Sequence, residues 1–165
     1  MNPAETGTSS YIYWERQGTD RLCGVHCLNA VLQGPFFDEI QLGMIAQDLD
    51  AQEKALFGGD FPDPTSLLAN NSNNVSADGN YGIQVIAEAL KRTNDLFVES
   101  IQSINSKNAG DLSKETGFIC NSKSHWFAIR KVNDKWYNLN STNREGPEFI
   151  SDFYLSAFLE SVRFS

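Results

Sequence analysis

Three side chains in this sequence can share nucleophilic chemistry. Cys23 stands in QGTDRLCGVHCLN, residues 17–29, while His125 and Asn140 stand in SHWFAIRKVNDKWYNLN, residues 124–140. A thiol attacks poorly near neutral pH, because the thiolate is the nucleophile. A histidine can take the thiol proton, and an amide can fix that ring's tautomer and orientation. Gln17, just upstream of the cysteine, offers a side-chain N–H that could join the backbone N–H of Cys23 in holding an oxyanion. Together these groups suit a hydrolase that works through a covalent thioester.

The elements that must position them can be read from periodicity. Thr19 or Asp20 is expected to cap a helix running to about Gln33, with Val25, Leu28, Val31 and Leu32 on its apolar side. Gly34-Pro35 ends it. Cys23 then falls in the first turn, where unpaired N–H groups and the helix dipole favour an anion. A second helix is expected over 38–57, with Ile40, Leu42, Ile45, Ala46 and Leu49 on one face, followed by a polar loop or moving arm over 60–80. A third helix over 81–92 uses Ile83, Ile86 and Leu90, and 96–101 reads as a strand. Strands are expected at 117–121, 125–132 and 135–140, a break at Gly146-Pro147, and a last helix capped by Ser151 or Asp152. Its apolar set is Tyr154, Leu155, Phe158, Leu159 and Val162. Helices first and an antiparallel sheet second make the fold class α+β, with residues 1–10 a disordered lead and 11–165 a single domain.

The second hairpin decides whether the base and the amide can meet. If Asn133-Asp134 is a two-residue turn, Val132 pairs with Lys135 and Phe127 lies opposite Asn140. His125 is then diagonal to Asn140 on the same face, about 7–8 Å away by Cα and within hydrogen-bonding reach. A slip of one residue would put Leu139 there instead.

A formal net charge of −8 argues against binding a phosphate backbone. No apolar run is long enough to cross a bilayer, and MNPAETGTSS does not read as a signal peptide. Three cysteines, without a disulfide spacing, point to a reducing compartment, cytoplasmic or nuclear. A monomer without cofactor is expected. Cys27 and Cys120 read as core residues and His26 as a structural histidine. Zinc bound by Cys23, His26, Cys27, Cys120 and His125 is disfavoured, because one helix face cannot easily supply tetrahedral ligation. No metal is expected.

The sequence resembles the Josephin family of deubiquitinases over residues 11–159. The resemblance rests on Cys23 followed by GVHCLNAVLQG, on Gly82-Ile83-Gln84-Val85-Ile86, and on Phe118-Ile119-Cys120-Asn121 leading to His125-Trp126-Phe127. It continues through Trp136-Tyr137-Asn138-Leu139-Asn140-Ser141 and Gly146-Pro147-Glu148-Phe149-Ile150-Ser151-Asp152. It implies a papain-like cysteine protease fold and hydrolysis of isopeptide bonds after the C-terminal glycine of ubiquitin. Cys23 would be the nucleophile, His125 the base, Asn140 the orienting residue and Gln17 the oxyanion donor. Residues 38–57 would belong to a projecting helical hairpin that gates the ubiquitin tail. Ile83 and Gln84 match ubiquitin-contacting positions near the active site, and Phe36 and Phe37 match an aromatic pair at a second ubiquitin surface. Thr93 departs from a surface tryptophan of that second surface. The Gln17–Cys23 connection is one residue longer than the family pattern, and the sequence stops before a last apolar strand expected of the family. The alternative expectations are a catalytically weak ubiquitin-binding module and activity on another ubiquitin-like modifier.

Overall fold

A computed structural model describes residues 11–56, 74–75, 80–101 and 111–163. The expected lead over 1–10 and most of the loop over 60–80 lie outside the described residues.

Helix α1 spans Cys23–Leu32. It starts later than Thr19 or Asp20 would set it. Asp20 is spent on the preceding turn, its carboxylate accepting from the N–H groups of Leu22 (3.0 Å) and Gly18 (3.2 Å). At the far end Gln33 adopts the left-handed conformation, φ 60°, while its N–H and that of Gly34 return to Ala30 and Asn29. A glutamine is tolerated there because its side-chain amide clamps both backbone polar groups of Tyr13, at 3.0 and 3.2 Å.

Helix α2, Glu39–Leu56, opens on a reciprocal capping box. Asp38 Oδ1 accepts from Gln41 N (2.8 Å), and Gln41 Oε1 accepts from Asp38 N (3.0 Å). Leu42, Ile45 and Ala46 are buried, whereas Ile40, Met44 and Leu56 are exposed. The second arm of the anticipated helical hairpin lies outside the described residues. Helix α3, Ile83–Asn94, buries Val85, Ile86, Ala89 and Leu90. Ile83 does not join them. It sits two residues before Val85, a rotation of roughly 200° about the axis, and stays 45% exposed. Residues 96–100 form no strand: Leu96 N donates back to Leu90 O at 3.4 Å, and Phe97 is exposed.

The sheet is four-stranded and antiparallel in the order β1-β2-β3-β4: Gly117–Ser122, His125–Val132, Lys135–Asn138 and Glu148–Ile150. Lys123-Ser124 and Asn133-Asp134 both turn with two successive positive φ values between 50° and 62°, the geometry that matches the right-handed twist of paired strands. Val132 pairs with Lys135 and Ile129 with Asn138, as the turn predicts. β3 ends sooner than expected, at Asn138, yet Leu139 N still donates to Ala128 O at 2.8 Å. β4 is a strand where the sequence suggests only a break. The final helix, α4, spans Asp152–Arg163 behind Ser151, whose hydroxyl accepts from Tyr154 N at 3.3 Å. Leu155 and Leu159 are buried, while Tyr154 leaves the expected face for solvent.

The fold is α+β, as expected. One face of the sheet packs on α1, and Ala128 and Leu139 join one core with buried residues of α1, α2 and α3. The other, through Phe118, Cys120, Phe127, Ile129 and Trp136, packs on α4. None of the described helices is long and apolar enough to cross a membrane.

Candidate active site

The site forms where the start of α1 meets the start of β2. Cys23 is the first residue of α1, so its backbone N–H is among the donors that have no acceptor within the helix. Cys23 is 4% exposed. The N–H of Trp126 on β2 points at Cys23 Sγ from 3.5 Å, which places the strand residue next to His125 against the sulfur. Trp126 is itself held by its indole N–H, which donates to Tyr81 O at 2.8 Å.

His125 Nε2 lies 2.8 Å from Asn140 Oδ1, the pairing that the hairpin register permits. The same oxygen accepts from the backbone N–H of Thr142 (3.0 Å) and from its hydroxyl (2.8 Å). Those two donors fix which end of the Asn140 amide faces the ring. Since that end only accepts, Nε2 must carry the hydrogen, and Nδ1 keeps the lone pair of the neutral ring. Thr142 escapes a reading by residue type alone. The signal for it is local, since an Asn followed two residues later by Thr favours a tight side-chain-to-backbone turn.

An N-terminal strap braces this arrangement. Trp14 Nε1 donates to Asn140 O at 2.9 Å, and Gln17 N donates to Ser141 O at 2.9 Å. Gln17 Oε1 accepts from the Ser141 hydroxyl at 3.0 Å, and one hydrogen of Nε2 goes to Asp20 O at 2.8 Å. The other Nε2 hydrogen has no partner among the described residues. His26 is engaged elsewhere: Nδ1 lies 2.5 Å from Glu15 Oε2 and Nε2 lies 3.0 Å from Asp20 Oδ1. Burial would raise the Asp20 carboxyl, but the hydrogen bonds from Leu22 N–H, His26 and Gly18 N–H outweigh it and hold the group below its ordinary value.

Asn80, which residue type alone did not single out, also reaches the sulfur, with Oδ1 at 3.1 Å from Cys23 Sγ. The other two cysteines have different surroundings. Burial, and then proximity to Cys120 and Cys23, pushes the Cys27 thiol well above its usual range, and burial pushes Cys120 up to about 12. Of the expected ubiquitin-contacting residues, Ile83, Gln84 and Phe36 are exposed. Phe37 instead turns inward against the helical core, its backbone N–H and C=O both held by the Asn29 side chain at 2.9 and 3.0 Å. The two phenylalanines therefore face different ways. Among the described residues no group of three or more His, Cys, Asp and Glu is placed to hold a metal ion.

A family model described as Josephin matches residues 18–165. An ataxin-3 homolog of Arabidopsis thaliana is 43% identical over 165 residues, covering 96% of this chain and 57% of that protein. Chicken ataxin-3 is 41% identical over 156 residues, and human ataxin-3 is 39% identical over 155 residues. Each alignment covers 92% of this chain and 42% of the relative. The chain belongs to the Josephin family. It spans about half the length of these relatives.

Proposed function

We propose that the protein is a cysteine-dependent deubiquitinase, hydrolysing amide and isopeptide bonds at the C-terminal glycine of ubiquitin. The observation that carries this reading is the hydrogen-bonded His125–Asn140 pair, 2.8 Å apart, on the strand whose next N–H touches Cys23 Sγ. Family membership supplies the substrate class.

In this mechanism His125 Nδ1 takes the Cys23 proton and the sulfur attacks the glycine carbonyl carbon. The carbonyl oxygen gains negative charge, stabilised by the backbone N–H of Cys23 and the second Nε2 hydrogen of Gln17. Collapse expels the amine, which receives the proton from His125 and leaves a thioester. Water, activated by the same imidazole, then attacks the thioester carbonyl and releases the ubiquitin carboxylate and the thiol. Exposed Ile83 and Gln84, at the start of α3, are the nearest candidates for holding ubiquitin, and Phe36 is a second.

The test is a ubiquitin probe bearing a C-terminal electrophile, followed by mass mapping. A single adduct on Cys23, absent in Cys23→Ala, is expected. No adduct, or one that survives the substitution, overturns the proposal. Tight binding of labelled ubiquitin without hydrolysis of any chain would instead define a binding module, and preferential labelling by a probe built on another modifier would reassign the substrate.

A further inference from the structure

Asn80 sits in the connection leading into α3, and its side chain spans the two halves of the candidate site. Oδ1 lies 3.1 Å from Cys23 Sγ, and Nδ2 donates to the carbonyl of Ser124, the residue before His125. A backbone carbonyl can only accept, so the amide nitrogen must face Ser124 and the amide oxygen must face the sulfur. An oxygen in that position can accept from S–H and cannot donate to S⁻. The contact therefore favours the protonated thiol, against the pull of the helix start and of the Trp126 N–H.

We infer that Asn80 is a positioning residue that holds Cys23 in a resting, protonated state with its hydrogen turned towards Oδ1, so that attack requires the thiol to leave this contact. The inference rests on Cys23 being the nucleophile of the proposed reaction. On activation the thiol leaves Asn80 Oδ1 and its proton passes to His125 Nδ1. The thiolate and imidazolium that result carry no net change in charge. The amide oxygen, which stabilises the first state, opposes the second.

The experiment is the pH profile of alkylation by iodoacetamide in wild type, Asn80→Ala and Asn80→Asp, with the modified cysteine mapped by mass. Cys27 and Cys120 serve as internal controls for folding, since their raised thiols keep them protonated and unmodified in the folded chain. The plateau rate at high pH reports access to the sulfur, and the midpoint reports the balance between thiol and thiolate. Asn80→Ala is expected to move the midpoint to lower pH and raise the rate at pH 7 about two- to tenfold, the worth of one net hydrogen bond. Asn80→Asp, which sets a negative charge beside the sulfur, is expected to move the midpoint to higher pH. A residue that merely packs would shift both variants alike or change only the plateau, and either result overturns the assignment. Should Asn80→Ala label at all three cysteines, Asn80→Ser takes its place with the same expected direction. If wild-type Cys23 forms no ubiquitin adduct, the proposed function fails while the alkylation midpoints still judge Asn80. If the adduct forms and the midpoints do not separate, Asn80 alone is misassigned.

Discussion

Asn140 Oδ1 serves three donors at once, the His125 ring and both donors of Thr142. Orientation and proton transfer are thus assigned to different residues, and their removal should have unequal costs. His125→Ala removes the proposed base and is expected to lower kcat on a fluorogenic ubiquitin amide by about 10²–10⁴. Asn140→Ala leaves the base in place with one hydrogen bond fewer, and is expected to cost about tenfold. Equal losses in the two variants would contradict the assigned roles. His26, the other histidine of the sequence, cannot substitute. Both its nitrogens face carboxylates of the strap and the turn, and its position on α1 leaves no third group to orient it over the sulfur.

At the scale of elements, α2 shows how a local signal in the sequence becomes stability. Asp38 and Gln41 satisfy each other's backbone donors, so Asp38→Ala should cost about 0.5–2 kcal/mol in urea unfolding, while Asp38→Ser, which keeps a cap, should cost much less. An alanine form as stable as wild type would show that packing of Leu42 and Ile45 alone sets this end. The same locality explains what could be read in advance. A two-residue turn fixes the β2–β3 register from four residues, which is why the His125–Asn140 pairing was legible. The start of α1 and the burial of α3 were less so. Asp20 had two uses open to it, and the 83, 86, 90 spacing did not reveal that the buried row runs through 85, 86, 89 and 90. β4 has only three residues and owes its pairing to Trp136, Tyr137 and Asn138 across from it, not to any pattern of its own. Segment 96–100 has strand-like residues but is not among the strands of the described sheet. Asn80 acts through a contact 57 residues away in sequence, and nothing in its neighbours announces it.

Across the whole molecule, the proposed nucleophile and base come from elements aligned side by side. From Cys23 to Val31, α1 rises about 12 Å, and from Trp126 to Arg130, β2 advances about 13 Å. The matched lengths let the pair be tied at both ends. At one end Trp126 N–H meets Cys23 Sγ; at the other the Arg130 guanidinium donates from Nε to Val31 O at 2.7 Å, satisfying a last-turn carbonyl of α1. Arg130 also binds the carbonyls of Thr116 (3.0 Å) and Lys131 (2.7 Å), so one cation joins the residue before β1, β2 and the helix end. Half-burial draws its pKa below the ordinary arginine value, a cost that these three carbonyls offset. Arg130→Ala should therefore lower stability by about 1.5–3 kcal/mol, as for loss of a hydrogen bond to a charged group. Because the tie lies at the far end of the two elements that carry Cys23 and His125, it should also lower kcat several-fold, well below the melting temperature, with KM unchanged. Arg130→Lys keeps the charge but cannot reach all three carbonyls from one fixed plane, and should fall between. An Arg130→Ala form of reduced stability but unchanged kcat would mean that the end of α1 bearing Cys23 is held by its own contacts alone.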